Sequence, residues 1–111
     1  MTIAIAPVTG VVVVRAGGAV LGETRAALAV SEDGGAPTLY VPRADFTTAF
    51  LDPSDTVTTC ARKGRATHYH LVVKSGRLRD AVWSYEAPAE AAAAIRGHLA
   101  FDPGRVTVER L

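Results

Sequence analysis

The 111-residue chain predicts a mainly β fold: one small domain, an open barrel of about seven or eight short strands, with one C-terminal helix at 88–96 and one short helix at 43–51. Three observations carry this. Short β-branched runs alternate with glycine- and proline-bearing turns along most of the chain. Between Ala66 and Lys74 the side chains divide by parity, Tyr69, Leu71 and Val73 to one side and His68, His70, Val72 and Lys74 to the other, as the two-residue period of a strand requires. Only one stretch, from Pro88 to Gly97, carries a full set of helix signals. The length supports one hydrophobic core, so residues 11–111 read as a single domain behind an N-terminal extension, 1–10.

Val11 to Arg15 is β-branched and strand-length; Ala16-Gly17-Gly18 turns it, and Ala19 to Gly22 pairs back as a hairpin. Ala26 to Val30 could propagate a helix by composition, but the hairpin before it and the Gly-Gly loop after it favour a strand. Asp33 to Pro37 is a loop, and Thr38 to Val41 a strand stopped by Pro42. The segment 43–51 reads as a short helix or a helical turn, with Phe46 and Phe50 four apart on one face. Thr56 to Cys60 is again β-branched and ends where Arg62-Lys63-Gly64 must turn. Ser75-Gly76 then folds Leu78 to Tyr85 back on the strand before it. For the C-terminal helix, Pro88 suits the first turn, Glu90 the positive end of the dipole, Ala91 to Ala94 the interior and Gly97 the stop. Val106 to Val108 closes the chain as a strand.

Composition narrows the function classes. About half the residues are apolar (49%) and the formal charge is +1, which suits a packed domain and not a disordered one. A single cysteine makes neither an internal disulfide nor a multi-thiolate zinc site, in keeping with a reducing compartment. The first ten residues show no basic leader and no long apolar run, so the expectation is a cytoplasmic protein with no membrane partner. Charge is divided along the chain. Glu32, Asp33, Asp45, Asp52 and Asp55 crowd one segment, whereas Arg62, Lys63, Arg65, Lys74, Arg77 and Arg79 follow with no acid among them.

The chemistry-bearing residues concentrate between Thr59 and Glu86, which holds the only cysteine, the only tryptophan and His68, His70, Tyr69 and Tyr85. Cys60 and Lys63 flank a tight turn. A cation beside a thiol lowers its pKa, so Cys60 is a candidate nucleophile, against the plainer reading of a buried, inert cysteine. His68 and His70 share a strand face as paired metal ligands can, but no third ligand is evident, and no metal or other cofactor is expected. Trp83, Tyr85, Tyr69 and Tyr40 read either as an aromatic cup or as core with hydrogen-bonded tips. Arg25 interrupts an apolar pattern and reads as an ion-pair partner or an anion contact.

At Tyr40-x-Pro42-x-x-Asp45, Cys60-x-x-Lys63-Gly64-x-Ala66, Ala81-x-Trp83-x-Tyr85 and Gly97-x-x-Ala100-Phe101-x-Pro103-x-x-Val106 the chain resembles DUF427, a bacterial and fungal family of unknown function sometimes labelled nucleotidyltransferase-like. The resemblance runs from about Val11 to Val108 and implies an Mss4-like β-tent, an architecture whose other members bind zinc through paired Cys-x-x-Cys or a ligand in an aromatic pocket. The cysteine pairs are missing here. So are a paired-carboxylate metal motif and a phosphate-cradling glycine loop before a helix.

The leading expectation is a small-molecule binding domain for an anionic or planar compound, with its pocket around the Cys60-Lys63-Gly64 turn and Trp83 and its ligand-binding residues drawn from Arg25, Tyr40, Cys60, Lys63, Tyr69, Trp83 and Tyr85. A thiol-dependent enzyme with Cys60 as nucleophile is the alternative. Weak nucleic-acid binding through the basic hairpin 62–79 is the third reading, and a nucleic acid is not the expected principal partner. A monomer or a homodimer fits equally.

Overall fold

The computed structural model describes residues 2–111, and among these the chain forms ten strands in three antiparallel sheets. In chain order they are β1 (Ile3–Pro7), β2 (Val12–Ala16), β3 (Ala19–Thr24), β4 (Leu28–Glu32), β5 (Thr38–Tyr40), β6 (Leu51–Cys60), β7 (Gly64–Val73), β8 (Gly76–Ser84), β9 (Ala100–Phe101) and β10 (Thr107–Arg110). The sheets run β1-β4-β5, β10-β2-β3 and β6-β7-β8-β9. The mainly β, single-domain expectation holds, with more strands than anticipated. One addition comes from the segment read as an extension, 1–10, where β1 pairs with β4 from Ile3↔Glu32 to Pro7↔Leu28. The radius of gyration, 13.3 Å, is that of one compact body of this length, about 13 Å.

Both expected helices are corrected to 3-10 turns. Residues 43–51 make two separate turns, Arg43–Asp45 and Thr48–Phe50, because the backbone between them is claimed by β3. Phe46 bridges Gly22, and the Thr47 N–H donates to the Leu21 carbonyl at 2.8 Å. At 88–96 the chain forms 3-10 structure over Glu90–Ile95, broken at Ala92 (φ −114, ψ 17). Tertiary anchors at both ends decide this: the Ala89 N–H donates to the Lys63 carbonyl at 2.9 Å and the Gly97 N–H to the Tyr85 carbonyl at 3.0 Å. So short an alanine run has too few internal hydrogen bonds to impose an α-helix against such anchors, and i→i+3 spacing points Ala92 and Ile95 together into the core. Among the described residues no helix is long and apolar enough to cross a membrane.

Two hydrophobic clusters lie on opposite faces of β7. Tyr69, Leu71 and Val73 face the first, with Leu21, Val41, Phe46, Val82, Leu99 and Phe101, as parity predicts. Ala66 faces the second, with Val30, Tyr40, Tyr85, Ala92, Ile95 and Ala100. Each fully buried aliphatic, such as Leu71 or Ile95, contributes about 1.5–3 kcal/mol. Bulges shape the third sheet. On β8, Leu78 and Val82 pair with Leu71 and Tyr69, so three β8 residues, 79–81, lie opposite His70 alone. Asp80, at φ 50, supplies the left-handed step, and in consequence the consecutive Ala81 and Val82 both reach the first cluster. On β6, Pro53 and Val57 pair with Tyr69 and Thr67, a second bulge, on the other side of β7.

Gly22 makes the approach of the 43–46 turn to β3 possible, since a Cβ there would lie 2.8 Å from the Asp45 carbonyl oxygen and 3.2 Å from the Phe46 Cα. Both are backbone atoms that cannot swing aside. Gly22→Ala is therefore expected to cost about 1–3 kcal/mol, read as a lower urea midpoint with an unchanged m-value.

Candidate functional site

Cys60 and Gly64 are register partners at the β6–β7 hairpin, so Cys60-Ala61-Arg62-Lys63-Gly64 is the turn itself. Gly64 takes φ 103, and a Cβ there would meet the Ala89 nitrogen at 3.3 Å, so the left-handed turn and the close overlay by residues 87–89 both call for glycine. Beneath the turn lie the side chains that the sequence brought under suspicion. The Lys63 ammonium, whose side chain is 12% exposed, is 3.0 Å from Glu32 Oε2 and 5.7 Å from the centre of the Tyr85 ring. Arg62 pairs with Asp33 at 2.8 Å, so two cations of the turn fasten β4 and its loop to the third sheet.

Cys60, Tyr40, Tyr85 and Trp83 belong to the second cluster with the Lys63 turn at its margin. The Tyr40 and Tyr85 rings lie 6.5 Å apart, tilted by 39°, and the Trp83 indole N–H donates to the Tyr40 hydroxyl at 3.2 Å. Burial raises the Tyr40 phenol above its ordinary range, with the Trp83 hydrogen bond opposing it. Burial raises Tyr85 further, with the neighbouring Tyr40 phenol adding to it. Both phenols stay protonated at neutral pH; Tyr40 accepts the Trp83 hydrogen bond and Tyr85 packs in the cluster. Neither imidazole that could have activated Cys60 is bonded to it: His68 Nε2 lies 2.8 Å from Thr58 Oγ1 and His98 Nδ1 is 3.2 Å from the Arg96 carbonyl.

Tyr69 and Arg25 stand apart from this group. Tyr69 pairs with Val82, while Trp83 pairs with His68, so the tyrosine points to the other face of the sheet. Its hydroxyl donates to Glu86 at 2.9 Å, and Arg43 binds the same carboxylate at 3.0 Å while lying 5.4 Å from the Tyr69 ring centre. Burial, then the Glu86 hydrogen bond, raises the Tyr69 phenol. Arg25 is exposed in a shallow hollow with Glu23, Thr24, Ala26 and Asp45.

The cavity that Trp83 borders has no lining residue from the Cys60 turn. Its volume is about 530 Å³, and it is lined by Pro37, Thr38, Leu39, Trp83, Phe101, Pro103, Val106, Thr107 and Val108. These residues come from β5, β8, β9, β10 and their flanks, and β5, β9 and β10 are each the outermost strand of a different sheet. No lining residue is charged. Thr38 and Thr107 are the hydroxyl-bearing members.

A polar network that sequence reasoning missed spans β7 on the face opposite Tyr69. The Asp80 carboxylate accepts hydrogen bonds from Ser54 and, at 2.8 Å, from Thr56, both on β6. The Asp80 N–H donates to His70 Nδ1 at 3.0 Å. Its legible signals were the two-residue spacing of Ser54, Thr56 and Thr58, matching that of His68 and His70, and Asp80 as the lone acid between Cys60 and Tyr85. Among the described residues no group of three or more His, Cys, Asp or Glu side chains is placed to hold a metal ion. Of the basic hairpin, Arg62, Lys63 and Arg77 are committed to carboxylates, the last to Asp52 at 2.8 Å.

Two outcomes follow from these pairings. Glu32→Gln should lose about 1–2 kcal/mol of stability by stranding the Lys63 ammonium, and Lys63→Met in the same protein should restore most of it, which a double-mutant cycle by urea unfolding measures. The hydrogen bonds from Ser54 and then Thr56 hold the Asp80 carboxyl below the usual carboxylate range, against a smaller opposing effect of burial. That stabilisation is complete above the unfolded carboxyl's range and vanishes as pH falls through the depressed folded value. Below about pH 4, Asp80→Asn should therefore lose stability less steeply than the parent chain, as pH-dependent urea midpoints would show.

No curated protein matches the chain. A family model described as "Domain of unknown function (DUF427)" matches residues 4–111, from β1 through the final strand. The chain is thus a member of the DUF427 family.

Proposed function

We propose that the domain binds a small planar, uncharged compound in the cleft beside Trp83, where the outer strands of the three sheets meet. One observation carries this reading: a cavity of about 530 Å³ is walled by Leu39, Trp83, Phe101, Val106 and Val108 and contains no charged side chain. Ligand sites are concave and mostly apolar, with a few polar groups that fix orientation, and Thr38 and Thr107 supply those groups here. An indole at the wall favours stacking on a flat guest. An anionic guest finds less support, because Lys63, the cation over the Tyr85 ring, is tied to Glu32.

The only tryptophan of the chain lines the cleft, so its fluorescence reports occupancy directly. The expected result is saturable quenching of Trp83 by 2-naphthol, much weaker quenching by naphthalene-2-sulfonate of the same ring size, and loss of the 2-naphthol response in Leu39→Arg, with folding checked by circular dichroism. Non-saturating quenching, or a response unaltered in folded Leu39→Arg, would overturn the reading.

A further inference from the structure

We propose that His70 is a pH-operated latch on the Asp80 bulge: unprotonated at Nδ1 it holds the Asp80 amide, and taking a proton there releases that amide and loosens the segment that sets Trp83. The Asp80 N–H donates to His70 Nδ1 at 3.0 Å, so in this state that nitrogen is an acceptor and carries no hydrogen. Protonation turns it into a second donor facing the first. The contact cannot survive in that form. A replacement partner is at hand, since Asp80 Oδ1 lies 3.7 Å from the same nitrogen. The imidazolium can thus exchange the amide for the carboxylate, which makes the bulge a two-state element and not a merely weakened one.

The surroundings constrain both states. His70 is 13% exposed at its side chain. From β6 it is faced by Asp52, its register partner, and by the Ser54 and Thr56 hydroxyls that already bind the Asp80 carboxylate. Asp52 is itself held by Arg77 of β8 at 2.8 Å, which offsets its pull on the imidazolium. Along β7 the nearest titratable neighbour is His68, bonded to Thr58. On β8, Arg79 and Asp80 flank the same bulge, so Asp80 is the carboxylate placed to receive the proton-bearing nitrogen. The consequence reaches Trp83 because the bulge decides its side. Asp80 at φ 50 is the step that returns Val82 to the first cluster and Trp83 to the second; the pairs Tyr69↔Val82 and His68↔Trp83 keep the register, and release of the amide contact loosens the step that leads into them.

The test uses the intact chain without ligand, followed by ¹H–¹⁵N NMR between about pH 8 and pH 5, the window in which imidazoles titrate. The Asp80 amide should shift with the same midpoint as the His70 ring signals, its exchange protection factor should fall about fivefold or more, the weight of one released hydrogen bond, and Trp83 emission should move in step. His70→Gln, whose side chain can accept but does not titrate, should abolish the transition, and His68→Gln should leave it. An Asp80 amide and a Trp83 emission that stay constant while the His70 ring titrates would overturn the proposal, as would a transition that persists in folded His70→Gln. Should His70→Gln fail to fold, the parent chain decides alone, because it reports the His70 ring and the Asp80 amide in one titration.

Discussion

The alternation of β7 is the constraint on which the rest of the molecule depends. This strand is paired on both sides, by β6 and β8, and both of its faces are used. Tyr69, Leu71 and Val73 need the first cluster, while Ala66 needs the second, so a slip of one residue would expose both sets at once. Two bulges, one on each neighbour, let the flanking strands curve around it without breaking this parity. The polar network over His70 is the complement of those bulges. Where extra residues interrupt the ladders, Ser54, Thr56 and Asp80 provide hydrogen bonds that the regular pairing no longer supplies.

Sheet closure is achieved by fastening rather than by one continuous barrel. The Gly22↔Phe46 bridge ties β3 to the 43–51 segment, and Val41↔Leu99 ties the end of β5 to the start of β9. The ion pairs of Arg62 and Lys63 with Asp33 and Glu32 clamp the β6–β7 turn to β4. Lys63 is the more consequential of the two. With its ammonium largely removed from water and lying over Tyr85, it depends on Glu32 as counter-charge, so the lysine of Cys60-x-x-Lys63-Gly64 is a fastening. The same fastening explains why Cys60 is half-buried among aromatic neighbours and not set beside a general base.

The cleft beside Trp83 lies along sheet edges that are only partly fastened. Each of β5, β9 and β10 ends its sheet; the Val41↔Leu99 bridge joins the end of β5 to the start of β9, and the rest of these edges leaves a hollow walled by side chains of several elements. Trp83 occupies both environments: its N–H is spent on Tyr40 inside the second cluster, and its ring borders the cavity. A side chain fixed at one end and open at the other suits a pre-formed binding wall, since little rotamer freedom remains to be lost when a guest arrives.

What the sequence by itself determined is whatever depends on neighbours along the chain. The parity of β7, the hairpins at Ala16-Gly17-Gly18 and Ser75-Gly76, and the turn at Gly64 all follow from two-residue periodicity and glycine backbone freedom, and they stand in the structure. The helices expected at 43–51 and 88–96 did not survive, because short segments with favourable propensity yield to long-range hydrogen bonds, from Leu21 in one case and from Lys63 and Tyr85 in the other. The candidate residues divided in the same way. Cys60, Lys63, Tyr40, Tyr85 and Trp83 do gather, but Tyr69 faces away, because the β7–β8 register that pairs it with Val82 is fixed by a bulge at Asp80 that no local pattern announces. Only the tertiary structure decided that Glu32 would take up Lys63 and that Leu39, Phe101 and Val108 would wall a cleft with Trp83, since sheet edges distant in sequence meet through packing, to which local periodicity is blind.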